Sequence, residues 1–360
     1  MSRLFLLLGL VACSADKNAD SGTAPDTPVD YRERGPHRVG VQKVAATATT
    51  PPFLVYAPTA LDESSQPLSV FEDDPDRATL IDERVGAAPS GCPTTGVSVS
   101  PTFEATADPL PVVLMSHCHE CTWSSLATVA THLASHGVAV LAVSHEGNTF
   151  FDVQAGTNLP LDTDTLAVRV DQLDAVWHEG VDLVEANLDL SRVATVGHSF
   201  GAVTTGMVAQ REGAVLGSVF LGAPADNPLL SGVDATALTA PNVWLLLEED
   251  NSIGQLGNDL IVDNATNAPG PTRLVRMPDA GHWSVSDIVG IDDAFMPGCG
   301  TDTRQDGSGD TFTYPDAATA RETTAGLVAA AVVPWLVDGN TDVGDVDALD
   351  GWNDLVVEAP

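Results

Sequence analysis

Residues 193–210 read Val193-Ala194-Thr195-Val196-Gly197-His198-Ser199-Phe200-Gly201-Ala202-Val203-Thr204-Thr205-Gly206-Met207-Val208-Ala209-Gln210. Val193–Val196 has the composition of a buried strand, and Phe200–Gln210 that of a helix. Between them stands Gly197-His198-Ser199-Phe200-Gly201, the pattern G-x-S-x-G in its strand–turn–helix frame. The frame carries more weight than the pentapeptide, which chance also produces. A serine on such a turn sits at the carboxyl edge of a sheet, and only small residues at 197 and 201 leave room for it. The helix that follows aims its free amides and positive dipole end at charge developing beside Ser199.

A serine hydroxyl needs a base, and the base needs an orienting acid. His282 is the only histidine after Ser199. It lies in Asp279-Ala280-Gly281-His282-Trp283, where a loop should follow the strand Arg273–Met277. For the acid, the strand Val243–Leu247 ends in Glu248-Glu249-Asp250. Asp250, at the start of a loop, fits best; Glu249 and Asp226 remain open. A second oxyanion amide is expected from the loop Ser116-His117-Cys118-His119-Glu120-Cys121, so the Phe200 and His119 amides are the candidate pair. Phe150, Phe151 and Leu159, on the loop Asn148–Asp164, are candidates for lining a substrate pocket.

Outward from this centre the chain alternates strand and helix. Val112–Ser116 and Val138–Val143 are uninterrupted apolar runs, the form of parallel strands buried on both faces. Ser124–Ser135 has helical spacing and ends at Gly137. Thr165–Leu188 is a long amphipathic stretch, Val215–Leu221 another strand, and Ala317–Val337 a helix that Pro334 should kink. Two strands, Arg38–Val44 and Phe53–Tyr56, precede the alternation. The pattern predicts an α/β fold with a mostly parallel central sheet and helices on both faces. Thr59–Pro111, rich in proline and acids, takes no regular assignment.

The ends read differently. Arg3, the apolar run Leu4–Ala12 and Cys13 form a basic, apolar and small-residue series typical of an export signal, too short to span a bilayer as a mature helix. Leu10-Val11-Ala12-Cys13 resembles the lipobox of bacterial lipoproteins, which implies a lipidated Cys13, and Ser14 after it points to the outer membrane of the cell envelope. Residues 1–12 are then a signal peptide, 13–35 a disordered acidic tether, 36–338 the folded domain and 339–360 an acidic tail. The 360 residues carry 50 acids against 15 Lys and Arg, a net charge of −35. Such a surface repels nucleic acid and anionic membranes, leaving the lipid anchor as the membrane contact. Adaptation to salty water and drift in an acidic lineage explain the excess equally well.

With Cys13 lipidated, four cysteines remain in an oxidising compartment, and three connectivities are open. Cys118–Cys121 with Cys92–Cys299 is the preferred pairing. His117, Cys118, His119, Glu120 and Cys121 are all metal-ligand types, but adjacent residues cannot all face one ion, so no metal is expected. Spaced acids in Asp302–Asp310 and Asp338–Asp350 miss the calcium-loop spacing and read as solvated surface.

Leu114-Met115-Ser116-His117, Leu133-Ala134-Ser135-His136-Gly137-Val138, Ser144-His145-Glu146-Gly147-Asn148-Thr149 and Gly197-His198-Ser199-Phe200-Gly201 together resemble the dienelactone-hydrolase-like members of the α/β-hydrolase superfamily. They are also similar to platelet-activating-factor acetylhydrolases and, more loosely, to cutinase-like polyester hydrolases. The resemblance covers roughly residues 112–336. It implies hydrolysis of carboxylic esters through an acyl-enzyme on Ser199, with Asp250 and His282, and without a cofactor; the protein is expected to be a monomer. Relatives usually carry Gly where Cys118 stands and often at Glu120, so this loop has bulk where theirs has none. A catalytically silent lipoprotein that keeps the fold as a binding scaffold is the reading from another class.

Overall fold

The computed structural model describes residues 29–105 and 107–360; Cys13 and the signal segment lie outside them. Strands β1 (Arg38–Val44) and β2 (Phe53–Thr59) pair antiparallel, Val41 opposite Tyr56. There follow a short strand β3 (Ser64–Gln66), helix α1 (Pro75–Ala87) and strand β4 (Val97–Val99), which pairs with β3. Then comes the alternation: β5 (Leu110–Ser116), α2 (Ala127–Ser135), β6 (Ala139–Val143), α3 (Phe150–Ala155), α4 (Thr163–His178), β7 (Leu188–His198), α5 (Phe200–Arg211) and β8 (Val215–Leu221). It continues with β9 (Asn242–Leu247), α6 (Gly254–Asn267), β10 (Thr272–Met277), a hairpin of β11 (Thr301–Thr303) and β12 (Thr311–Thr313), α7 (Ala317–Val333) and β13 (Val356–Glu358).

Nine strands form one sheet in the order β1-β2-β6-β5-β7-β8-β9-β10-β13. The six from β6 to β10 run parallel; β2 and β13 join them antiparallel. Side chains of a strand alternate between faces, and β5 shows the consequence. Val113 and Met115 pack with α2 and α7 on one side, Val112 and Leu114 with α4, α5 and α6 on the other. Both faces are covered, which is why these strands are apolar throughout. Helix α7 is buried nearly all round and shows no amphipathic stripe. At Pro334 it passes into a single wide turn, Pro334–Asp338, that carries Trp335 against Gly217; a Cβ there would sit 2.3 Å from the indole. No helix among the described residues is long and apolar enough to cross a membrane.

Several boundaries differ from expectation. Tyr31 is buried, its carbonyl accepting from His132 Nε2 at 2.9 Å, and Gly35 N donates to Ser135 Oγ at 2.8 Å. The folded unit therefore starts at Tyr31, five residues inside the expected tether. The expected acidic tail also belongs to the fold. Its β13 extends the sheet with Val357 opposite Val275, and Asp347 and Glu358 pair with Arg273 and Arg276. The unassigned segment holds α1, capped by Asp74, whose carboxylate accepts from Asp76 N at 2.8 Å. Only Ile81 of that helix is buried, with Leu80 and Val85 partly covered, so its apolar side is narrow and set among charged residues. The amphipathic stretch expected to run to Leu188 stops at His178 and becomes a short 3-10 turn, Gly180–Leu183.

The topology fixes where a site can be. From β5 the chain moves to β6 on one side and later to β7 on the other, so the carboxyl ends of β5 and β7 flank a switch point, the usual crevice of open parallel sheets. Ser116 lies opposite Gly197 there, which sets residues 117–121 beside Ser199.

Candidate active site

Strand β7 ends at His198, and α5 begins at Phe200; Ser199 between them has φ 55° and ψ −122°. That left-handed backbone is costly for a residue with a side chain, of order 1–3 kcal/mol. It is held by Ser199 N donating to Leu221 O at 2.9 Å and by the close packing of the flanking glycines. A Cβ on Gly197 would come within 2.2 Å of Gly201 O, and one on Gly201 within 2.0 Å of Ser116 O.

Ser199 Oγ stands 2.8 Å from His282 Nε2, and His282 Nδ1 is 2.7 Å from Asp250 Oδ2. An ionised carboxylate only accepts, so Nδ1 carries the proton toward Asp250 and Nε2 is free to accept the serine hydroxyl. Asp250 is fully buried, and its other oxygen accepts from Ser252 N at 3.0 Å and Ile253 N at 3.1 Å. The competing carboxylates are engaged elsewhere. Glu249 pairs with Arg304 at 2.6 Å and accepts from Gln305 N, while Asp226 accepts from Ala235 N. Arg304 also reaches Asp279 at 2.7 Å, so the hairpin ties the loop of Asp250 to the loop of His282, while the spaced acids Asp306 and Asp310 stay exposed as expected. His198, which burial holds neutral, donates Nε2–H to His282 O at 3.0 Å.

The loop after β5 is shaped by its own bonds. Both expected disulfides are present, Cys118–Cys121 and Cys92–Cys299, so neither Cys118 nor Cys121 offers a thiolate to a metal. Glu120 has φ 59°, a backbone that glycine adopts more readily; its carboxylate faces His119 Nε2 at 3.2 Å and accepts from Asn158 Nδ2 at 2.7 Å. The backbone amides of His119 and Phe200 have no acceptor among the described residues. Behind the loop lies a residue that the sequence did not single out: Arg169 of α4, fully buried. Its guanidinium donates to Asn148 Oδ1 at 2.6 Å, to Ser116 Oγ and Thr204 Oγ1 at 3.2 Å each, to Cys118 O at 3.5 Å and to His117 O. Its cation sits 4.7 Å from the centroid of the Phe200 ring. Burial draws its pKa below the ordinary arginine value; the delocalised guanidinium with all its donors satisfied nevertheless stays charged.

Ser199 opens into a cleft of about 490 Å³ lined by His119, Leu161, Phe200, Val203, Ala223, Pro224, Leu230, Ile253 and Leu260, among others. Among the described residues its only ionisable side chain is His119, which burial keeps below the usual histidine pKa. Leu229, Leu256 and Leu161 stand at its rim, 85%, 73% and 53% exposed. The expected pocket residues do not line this cleft. Phe150 and Phe151 are buried in α3, Phe150 against Phe295 and Phe151 under Arg77, and Leu159 packs on Gly147. The α3–α4 loop contributes Leu161 in their place. Aromatic rings beside a loop signal packing as readily as a pocket, and nothing in the residue types separated the two.

A strained serine elbow after a central parallel strand, with acid and histidine loops after later strands, defines the α/β-hydrolase fold. The solved structure of a ferulic acid esterase from Streptomyces cinnamoneus superposes with a TM-score of 0.64, at 18% identity, covering 93% of this chain and 98% of that one. No protein-family model and no curated protein sequence matches the chain.

Proposed function

We propose that the protein is a serine carboxylic-ester hydrolase working through an acyl-enzyme without a cofactor. The observation that carries this is the unbroken run Asp250–His282–Ser199, at 2.7 and 2.8 Å, ending at the mouth of the cleft. His282 Nε2 takes the proton as Ser199 Oγ attacks the ester carbonyl, and Asp250 holds the ring and stabilises the imidazolium. The Phe200 and His119 amides receive the oxyanion. His282 then returns the proton to the leaving alcohol, and a water repeats the sequence on the acyl-serine.

An uncharged apolar cleft in a chain of net charge −35 suits a neutral ester with an apolar acyl or alcohol part. The aromatic acyl group in the name of the structural neighbour belongs to that class. The leucine rim supports a second reading within it, a substrate met as an apolar surface, such as a polyester or a phospholipid. Lipidation of Cys13 would hold the protein, as a monomer, at the outer membrane, where such substrates arrive from outside the cell.

Fluorophosphonate labelling tests the chemistry. Wild type should label and Ser199→Ala should not; equal labelling of both, or of neither, leaves a silent scaffold as the better account. A series of p-nitrophenyl esters should then show kcat/KM rising with chain length, about fourfold per methylene buried, until the cleft is full.

A further inference from the structure

We propose that Arg169 is a positioning residue for ester hydrolysis. Its buried charge, balanced by no carboxylate among the described residues, orients and polarises the peptide that presents the His119 amide to the oxyanion. The inference rests on the hydrolase reading above.

The first ground is the acceptor set. A guanidinium has five N–H groups, and here they meet five neutral acceptors: Thr204 Oγ1, Asn148 Oδ1, Ser116 Oγ and the carbonyls of His117 and Cys118. Burying an ion without a counter-ion is expensive. An apolar or amide side chain would fill the site with less desolvation, so the charge itself points to a use.

The second ground is where the hydrogen bonds land. The His119 N–H belongs to the same peptide group as Cys118 O. That oxygen accepts from Arg169 Nη1 at 3.5 Å, from Cys121 N at 3.4 Å and from His117 Nδ1 at 2.7 Å. The His117 tautomer is settled by its other nitrogen, since Nε2 accepts from His145 N at 3.1 Å and so leaves the proton on Nδ1. Donors on a peptide's oxygen withdraw density from its N–H and strengthen it as a donor. The preceding peptide is gripped as well, through Arg169 Nη2 on His117 O.

Third, the same cation reaches both halves of the oxyanion site. It lies against the ring of Phe200, whose amide is the other donor. Through Asn148 Oδ1 it also locks the Asn148 amide so that Nδ2 donates to His119 Nδ1 at 2.7 Å. In a water-excluded setting such a fixed charge favours the anionic tetrahedral state over the neutral ester. Its effect therefore falls on kcat rather than on KM.

The test compares Arg169→Gln and Arg169→Lys with wild type on one p-nitrophenyl ester, alongside melting curves and the rate of fluorophosphonate inactivation. Arg169→Gln should lower kcat by about 10²–10³, the loss typical of one oxyanion donor, with KM within threefold. Inactivation by the probe should slow in parallel, because its phosphoryl oxygen meets the same amides. Arg169→Lys keeps the charge but reaches fewer acceptors, and should recover at least tenfold over Arg169→Gln. Wild-type kcat in either folded variant overturns the proposal. So does activity that falls only in step with the folded fraction, or a failure of both variants to fold. Activity that survives Ser199→Ala instead removes the hydrolase reading itself, and this inference with it.

Discussion

Asp250 has two oxygens and spends them on different tasks. One fixes His282, and the other takes two backbone amides of its own loop, so the carboxylate cannot swing away without unmaking a turn. Asp250→Asn keeps that turn but offers His282 an ambiguous partner. We expect kcat to fall on the order of 10⁴, as loss of the orienting acid does in such triads, with KM nearly unchanged. Glu249→Gln, which cuts only the link to Arg304, should stay within tenfold; steady-state kinetics on both variants decides, and the reverse ranking would move the acid role to Glu249. Which of Glu249, Asp250 and Asp226 meets the histidine was only partly legible, because strand ends blur by a residue or two. Ser199 and His282 were plainer: one stands in a motif with a steric rationale, the other is the sole histidine downstream. Arg169 was half legible: three residues after Leu166 and four before Leu173, it falls within the apolar stripe of α4, which marks a buried charge but not what that charge touches. Its meaning lies in carbonyls about 50 residues away.

At the scale of elements, the two disulfides divide labour. Cys92–Cys299 closes a loop of 207 residues, Cys118–Cys121 one of three. Loop-closure entropy then assigns roughly 5 kcal/mol to the first and roughly 2 kcal/mol to the second. A Cys92→Ser/Cys299→Ser protein should accordingly show the larger drop in urea midpoint and keep near-normal kcat while folded. Cys118→Ser/Cys121→Ser should do the opposite, losing kcat by at least tenfold for a small stability change, because that bridge shapes the turn carrying the His119 amide. Equal effects on both quantities would refute the division. The parallel strands, α2, α5 and α7 were readable from apolar runs and spacing. Elements that bury little were not: α1 presents one buried residue, and β13 is three residues long. The β11–β12 hairpin is held by Arg304 and Gln305 to the acid loop rather than by a core. Periodicity reports burial, and these elements are fixed by caps, ion pairs and edges.

For the whole molecule the net charge of −35 was evident in the sequence, whereas the fate of its histidines was not. Six of the nine, His117, His119, His132, His136, His145 and His198, have pKa values lowered chiefly by burial, His132 to about 4. Unfolded, each binds a proton near 6.5, so the stability these groups confer is present above pH 6.5 and is lost as pH falls through their folded values, roughly 3 kcal/mol for His132 alone. Glu72 works against them. Burial raises its carboxyl to about 7 even though Trp123 Nε1 donates to it at 2.8 Å. Its contribution is therefore full below pH 4.5 and gone above pH 7, of similar size and opposite slope. Wild type should consequently lose stability on acidification less steeply than its histidines alone would dictate. Glu72→Gln keeps an acceptor for Trp123 and removes the opposing titration. Urea unfolding from pH 4 to 8 should find this variant more stable than wild type at pH 8, by up to roughly 3 kcal/mol, equal to it near pH 4, and steeper between. Parallel profiles for the two proteins would mean that Glu72 titrates alike folded and unfolded, and the acid sensitivity would then belong to the histidines without a counterweight.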